Sequence, residues 1–317
     1  MAGYYKQNRL KQLRAFCYAA RTGSVSKAAK QMSLSQPSAS LLIQALENEL
    51  ASQLFDRHGP KIRLTKAGTI LLELAQPLLE GFDSLPDEFH EHCHNLVTGK
   101  LVVAAGGSAI SYLLPDIVKR FTHQYPDIHL KLINVPGKQG LTLVYSGEVD
   151  FAVGPILGIP ADIYSLPLFS FELTLITPPG HPLTRMDKVT LDDIEPYGLI
   201  MPSPTMSTRT VIEGVLQQKN LKYRMLMEAG DWEVIKKYVE MGLGIAIVSS
   251  ICLTGKEKIT GISLADYFPA RSYGIILRRS KFISPAARHF IELMGPHALS
   301  SLTDGKASFQ PGPSPAH

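Results

Sequence analysis

Three apolar stripes at helical spacing crowd the first 50 residues, and they constrain the fold of this chain more than any other feature. Leu10, Leu13, Phe16, Cys17 and Ala20 form the first, Val25, Ala28, Ala29 and Met32 the second, and Ala39, Leu42, Ile43, Leu46 and Leu50 the third. Gly23-Ser24 divides the first two, with Ser24 placed to cap the second helix. Between the second and third lies SLSQPSAS (33–40), whose Ser and Pro content suggests a surface loop. Position reverses that suggestion. Ser35 is placed to cap the third helix, and Pro37 falls at its second position, where no backbone N–H is needed. A short helix, a tight turn and a second helix opening with exposed polar side chains is the helix-turn-helix layout.

The next segment, LFDRHGPKIRLTKAG (54–68), sets Gly59-Pro60 between short extended runs, with Arg57, Lys61 and Arg63 around the turn. This predicts a β-hairpin wing suited to phosphate or minor-groove contact. From Ala67, apolar residues at Leu71, Leu74, Leu78, Phe82, Leu85 and Phe89 form a heptad-like seam, which implies burial against a partner helix and hence dimerisation. Pro77, Gly81 and Pro86 predict a kink or break in that helix. Residues 1–66 hold eleven Lys and Arg against three acids, a net of +8, while the remainder stands at −4 and the whole chain at +4. A basic head on a mildly acidic body is the electrostatic footprint of a nucleic-acid-binding domain attached to something with a different ligand.

Beyond Lys100 the pattern changes. Strand-like runs at 100–106, 129–135, 149–155, 172–178, 198–203, 224–229, 244–250 and 271–279 alternate with helical patterns near 110–124, 138–146, 206–219, 231–242 and 284–295. That order predicts α/β architecture with largely parallel sheets. Residues 300–317 are rich in Pro, Gly and Ser and read as a disordered tail. A length of 317 residues leaves room for about two domains. The hydrophobic fraction of 45% and charged fraction of 19% suit ordinary globular cores. No apolar run approaches the roughly 20 residues that span a bilayer, and the first residues carry no apolar signal segment. A cytoplasmic location without a membrane partner is therefore expected.

The segment SVSKAAKQMSLSQPSASLLIQALENELASQLFDRHGPKIRLTKAG resembles the N-terminal winged helix-turn-helix of LysR-type transcriptional regulators. The shared pieces are Ala28-Ala29, Ser35-Gln36-Pro37, Leu46-Glu47, Leu54-Phe55-Asp56-Arg57 and Leu64-Thr65-Lys66-Ala67-Gly68. The resemblance continues through YLLPDIVKRF, GEVDFAVGP, HPL (181–183) and VEMGLGIAIV. Ala51 stands where the family usually has Gly, a difference that bears on a turn. Within the family, DWEVIKKYVEMGLGIAIVSS and YGIILRRSKFISPAARHFIELM look most like the subgroup that includes regulators of cysteine biosynthesis and sulfur use. The resemblance implies a winged helix-turn-helix over 1–66, a linker and dimerisation helix over 67–97, and an α/β effector domain over 98–299 with two lobes like a periplasmic binding protein. It also implies double-stranded promoter DNA and a small-molecule effector as partners and a homodimer or homotetramer as the assembly, with RNA polymerase left open as a further partner.

On the third helix Gln36, Ser40, Gln44 and Glu47 fall at i, i+4, i+8 and i+11, read as the polar face opposite the apolar stripe. Such a face must enter the major groove, where Gln pairs with adenine edges and Ser with several bases. Ser35 and Ser38, with the helix start at Pro37, can meet phosphates. In the body, AAGGSAIS (104–111) and MPSPTMSTRT (201–210) gather small hydroxyl residues at strand-to-helix junctions, each a ready site for an anion or carboxylate. The resemblance implies effector contacts at Ser108, Ser203, Thr205, Ser207, Thr208 and Arg209, and near Pro155 and Asp231, for a small anionic metabolite between the lobes. The alternative for Arg209 is a structural ion-pair role.

Other constellations point nowhere. HEHCH (90–94) gathers His and Cys, but alternating positions on a helix do not converge on one metal ion. Cys17 lies on a buried stripe, and Cys252 has no sequence neighbour that would lower its pKa. No nucleophile elbow, P-loop or H-E-x-x-H occurs, so neither catalysis, a cofactor nor a metal is expected. The alternatives kept are a DNA-binding repressor without a ligand, and a solute-binding or enzymatic body with an accessory DNA-binding head.

Overall fold

The structure is a computed structural model and describes residues 9–58, 61–94, 98–279, 281–296 and 298–299. The chain divides into two units, Met1–Gly99 with Arg279–Pro285, and Lys100–Arg278 with Ala286 onward.

In the first unit the three stripes become α1 (Arg9–Thr22), α2 (Val25–Gln31) and α3 (Gln36–Glu49). Each later helix starts on a hydroxyl cap. Ser24 Oγ accepts the Lys27 N–H at 3.4 Å and Ser35 Oγ the Ser38 N–H at 3.3 Å, satisfying donors that a helix start leaves open. The hairpin is antiparallel, β1 (Phe55–His58) against β2 (Lys61–Leu64), with Asp56 opposite Arg63. Its turn at Gly59-Pro60 lies outside the described residues. Phe16, Ile43, Leu46, Leu54 and Phe55 form the core of this unit, the Phe16 and Phe55 rings 5.3 Å apart. Gly68 is required by close approach, since a Cβ there would strike the Leu54 carbonyl oxygen.

The linker seam becomes two helices, α4 (Lys66–Asp83) and α5 (Leu85–His94). The helix runs through Pro77 and Gly81, and the break falls at Ser84. Pro86 then sits at the second position of α5, where its missing N–H costs nothing. α4 carries two apolar faces. Leu71, Leu72, Ala75 and Leu79 pack into the core of the unit, while Ile70, Leu74, Leu78 and Phe82, and Leu85 and Phe89 on α5, are exposed.

The second unit has two lobes, each with its own sheet. The first lobe orders its five strands β4-β3-β5-β12-β6, namely β3 (Gly99–Ala105), β4 (Ile128–Asn134), β5 (Phe151–Pro155), β6 (Ile163–Phe171) and β12 (Arg271–Arg278). Its helices are α6 (Pro115–Gln124), α7 (Gly137–Ser146) and α10 (Pro285–Met294). The second lobe holds β7 (Leu173–Thr177), β8 (Gly198–Pro202), β9 (Arg224–Ala229), β10 (Ala246–Ser249) and β11 (Thr260–Ser263), with α8 (Ser207–Gln218) and α9 (Trp232–Glu240). A bridge between Leu199 and Ile245 joins its β8-β9 pair to its β10-β7-β11 sheet. The expectation of largely parallel sheets is corrected. β3–β5 and β8–β9 are parallel, but β12 pairs antiparallel with β5 and β6, and β7 antiparallel with β10 and β11. The reason is topological: β6 leads into β7 across the lobes, and β12 returns beside it, with Arg271 opposite Phe171. Among the described residues no helix is long and apolar enough to cross a membrane. The tail expected at 300–317 lies outside the described residues.

Candidate functional site

Burial of Ala39, Ile43 and Leu46 sets the rotation of α3. Gln36, Pro37, Ser38, Leu41, Gln44 and Asn48 are exposed, while Ser40 and Glu47 are half-buried. The solvent face therefore centres on Pro37, Leu41, Gln44 and Asn48 rather than on the expected Gln36, Ser40, Gln44 and Glu47. Glu47 is a correction to that expectation. Its Oε1 accepts the backbone N–H groups of Leu54 at 2.8 Å and Phe55 at 3.3 Å, tying α3 to the hairpin. At the helix entrance the Ser35 and Ser38 hydroxyls lie 2.8 Å apart and exposed, and no acidic residue occupies the first turn of α3. Arg63 is exposed on β2. Arg57 and Lys61 occupy hairpin positions opposite Ile62 and His58, and their side chains lie outside the described residues.

The expected effector residues of the second unit, Arg209 apart, lie on or beside hydrogen bonds that cross between the lobes. Ser108 opens a five-residue π-helical turn, Ala109–Leu113, but does not cap it. Its Oγ instead accepts the indole N–H of Trp232, across the lobes, at 2.8 Å. Asp231, just before Trp232, caps α9 by accepting the Glu233 N–H at 2.7 Å. The preceding Ala229 carbonyl accepts the Ser203 N–H at 2.8 Å, and the Ser203 and Thr205 hydroxyls are 2.9 Å apart. Ser207 and Thr208, the first residues of α8, accept hydrogen bonds from Arg271, at 2.7 Å for Ser207 Oγ. Arg271 also stacks over Tyr273, the residue paired with Pro155 at the end of β5.

Arg209 is drawn away from this row. Its Nε lies 2.6 Å from Glu213, and its Nη1 donates to the Pro202 carbonyl at 2.9 Å and faces Glu228 at 3.5 Å. The structural ion-pair reading of Arg209 thus fits its position, because a buried guanidinium is held by the charges nearest it.

Residues 10–69 match the family of bacterial regulatory helix-turn-helix proteins, lysR family, and residues 94–298 match the LysR substrate binding domain, more than half of the chain. The chain belongs to the LysR family of transcriptional regulators. It is 35% identical to a probable RuBisCO transcriptional regulator of Cyanidioschyzon merolae, over 78% of this chain and 83% of that one. It is 28% identical to the HTH-type transcriptional regulator CysB of Haemophilus influenzae, over 89% of this chain and 88% of that one. A full-length OxyR variant from Pseudomonas aeruginosa matches its fold with a TM-score of 0.66 at 22% identity, covering 95% of this chain and 98% of that one.

In this LysR-type regulator several residues at the contacts between the lobes were missed from sequence. Lys236 is buried in α9 and donates to the Cys252 carbonyl and to Glu257, both at 2.7 Å, with Glu233 at 2.8 Å. Burial pulls its ammonium toward neutrality, but hydrogen bonds to Glu233 and Glu257 outweigh it and leave the pKa raised. The Tyr112 hydroxyl donates to Glu233 from the opposite lobe, and burial together with that carboxylate pushes the phenol upward. Cys252 does have a cation nearby in Lys236, yet burial wins and pushes its thiol up to about 12, which leaves it unreactive. Among the described residues no group of three His, Cys, Asp or Glu could hold a metal, and the side chain of His94 lies outside them.

Proposed function

We propose that this regulator reads promoter DNA with the entrance of α3 and the hairpin wing, and that an anionic metabolite in the cleft of the second unit controls it. The observation that carries the DNA reading is the exposed, acid-free start of α3, capped by Ser35 within the segment 1–66, whose net charge is +8. In this account Gln36 and Gln44 meet base edges, with Ser40 at the margin. Ser35, Pro37 and Ser38 bring the helix start to a phosphate, and Arg57, Lys61 and Arg63 hold the flanking backbone. Ser108, Ser203, Thr205, Ser207 and Thr208 supply the effector contacts, Pro155 and Asp231 flank them, and Arg209 supports the α8 entrance. The exposed apolar stripe of α4 and α5 supports self-association, because six large apolar side chains on one stretch are costly to leave in water.

Selection of bound duplexes from a random pool by the full chain tests the proposal. One recurrent motif supports it. Recovery of unrelated sequences would leave only a basic protein with general affinity for DNA.

A further inference from the structure

We infer that Lys281 and Phe282, seated on Glu80 and Gly81 of α4, are positioning residues that tie the linker helix to the chain of the second unit, so that the lobes and the DNA-binding helices are coupled through this strap. The inference rests on the reading that the second unit controls the first. The chain leaves the first unit at Gly99, returns to it at Arg279 and leaves it again after Pro285. Residues 279–285 thus belong to the first unit, although β12 ends just before them and α10 begins at Pro285. Glu80 anchors them. Its Oε1 accepts from the Gln76 amide at 3.3 Å, and its Oε2 accepts the backbone N–H of Phe282, 202 positions away, at 3.4 Å and faces Lys281 Nζ at 3.6 Å. The Lys281 side chain is only 10% exposed, so salt screens this pair little. The Phe282 ring lies against Gly81, where a Cβ would come within 3.3 Å of it. Glycine weakens a helix interior, and here its missing side chain gives the ring a seat.

The seat lies where a shift of the strap reaches the head. In the same turn of α4, Asp83 pairs with Arg14 of α1, and the Arg14 guanidinium sits over the Phe82 ring at 5.8 Å. One turn earlier Ala75 and Leu79 pack with Phe16 and Ile43 in the core of the first unit. At its other end the strap continues β12, which lies between β5 and β6 in the first lobe and begins at Arg271, the donor to Ser207 and Thr208 of the second lobe. Domains joined by a flexible link alone move independently by default. A second passage of the chain, anchored by an ion pair, a main-chain hydrogen bond and a ring contact, gives the end of β12 a fixed place on α4. Coupling free energy is reciprocal, so a strap that carries a change from the lobes to the head also carries one from the head to the lobes. Stabilising the head must then stabilise the lobes.

Trp232 is the only tryptophan of the chain and lies in the second unit, so its emission follows unfolding there. The full chain is unfolded by heat with and without a random-sequence duplex at low salt, which binds the basic head by charge. Binding to a folded state raises its unfolding midpoint. In the wild type the duplex should raise the midpoint reported by Trp232. Lys281→Ala, Phe282→Ala and Gly81→Leu, which sets a side chain into the seat of the ring, should lose most of that rise while binding the duplex as tightly by fluorescence anisotropy. Lys281→Arg, which keeps the charge facing Glu80, should retain it. Leucine favours a helix, so Gly81→Leu decides the matter where Phe282→Ala fails to fold. A strap with a structural role alone would lower the midpoints of the variants and leave the duplex-induced rise intact. That result, or no rise in the wild type, would overturn the inference. The control reading fails separately: a strap-dependent rise, together with a DNA affinity that no member of a panel of organic acids, sulfate and phosphate alters, would leave the coupling real and effector control refuted.

Discussion

One oxygen of Glu47 accepts the backbone N–H groups of both Leu54 and Phe55, at 2.8 and 3.3 Å, so the last turn of α3 holds the first strand of the wing. A carboxylate that spacing alone assigns to the DNA face is a structural acceptor for two donors. Glu47→Ala should therefore destabilise the first unit by about 1–3 kcal/mol, the cost of stranding such donors. Thermal unfolding checks this, and the folded variant should keep its preference among DNA sequences.

Leu41 is 66% exposed in the middle of the solvent face of α3. An apolar side chain aimed at the major groove suits the methyl group of thymine. Leu41→Ser should lower affinity for the selected motif while leaving random-sequence DNA nearly unaffected. Competition binding with a duplex carrying uracil in place of each thymine in turn should show which base loses its contribution in the variant.

Ala51 lies at φ +48°, in the left-handed region, directly after α3. A Cβ there costs about 1–2 kcal/mol, partly offset by the greater freedom of glycine in the unfolded chain. Ala51→Gly should thus stabilise the first unit by roughly 0.5–1 kcal/mol, seen as a higher unfolding temperature.

Burial raises the Glu257 carboxyl, but hydrogen bonds from Lys236 and Thr254 outweigh it and hold the pKa down to about 2, against an ordinary 4.5. The folded value lies below the unfolded one, so acid protonates the unfolded chain first. The stabilisation from this carboxylate is complete above about pH 4.5 and is lost as the pH falls toward 2. Thermal unfolding followed across that window should fall steeply in the wild type and less steeply in Glu257→Gln. Parallel profiles would show that Glu257 does not carry the dependence.

What was legible in the sequence is what is decided locally. Ser24, Ser35 and Pro37 act within one helical turn, and the wing declares itself through its turn and the extended runs beside it. β6 escaped notice because Pro167 interrupts its pattern. It forms at the sheet edge, with its register shifted where Gly274 meets Pro167, and a Cβ on Gly274 would strike the Leu166 carbonyl. The roles of Arg271 and Trp232 in joining the lobes were invisible because their partners lie 64 and 124 positions away. The hydroxyl-rich junctions at 104–111 and 201–210 were visible in the sequence, but that Ser108 accepts from Trp232 and Ser207 from Arg271 emerges only when both lobes are in place.

The central claim is sequence-specific DNA recognition by the entrance of α3, and the ratio of affinities for the selected motif and a shuffled duplex tests it most directly. Fluorescence anisotropy of the full chain at matched salt should give a ratio of about a thousand or more, as specific binders do. Gln36→Ala should bring that ratio down sharply while keeping most of the affinity for shuffled DNA and its salt dependence. A wild-type ratio near one, or an equal loss on both duplexes in Gln36→Ala, would contradict the account.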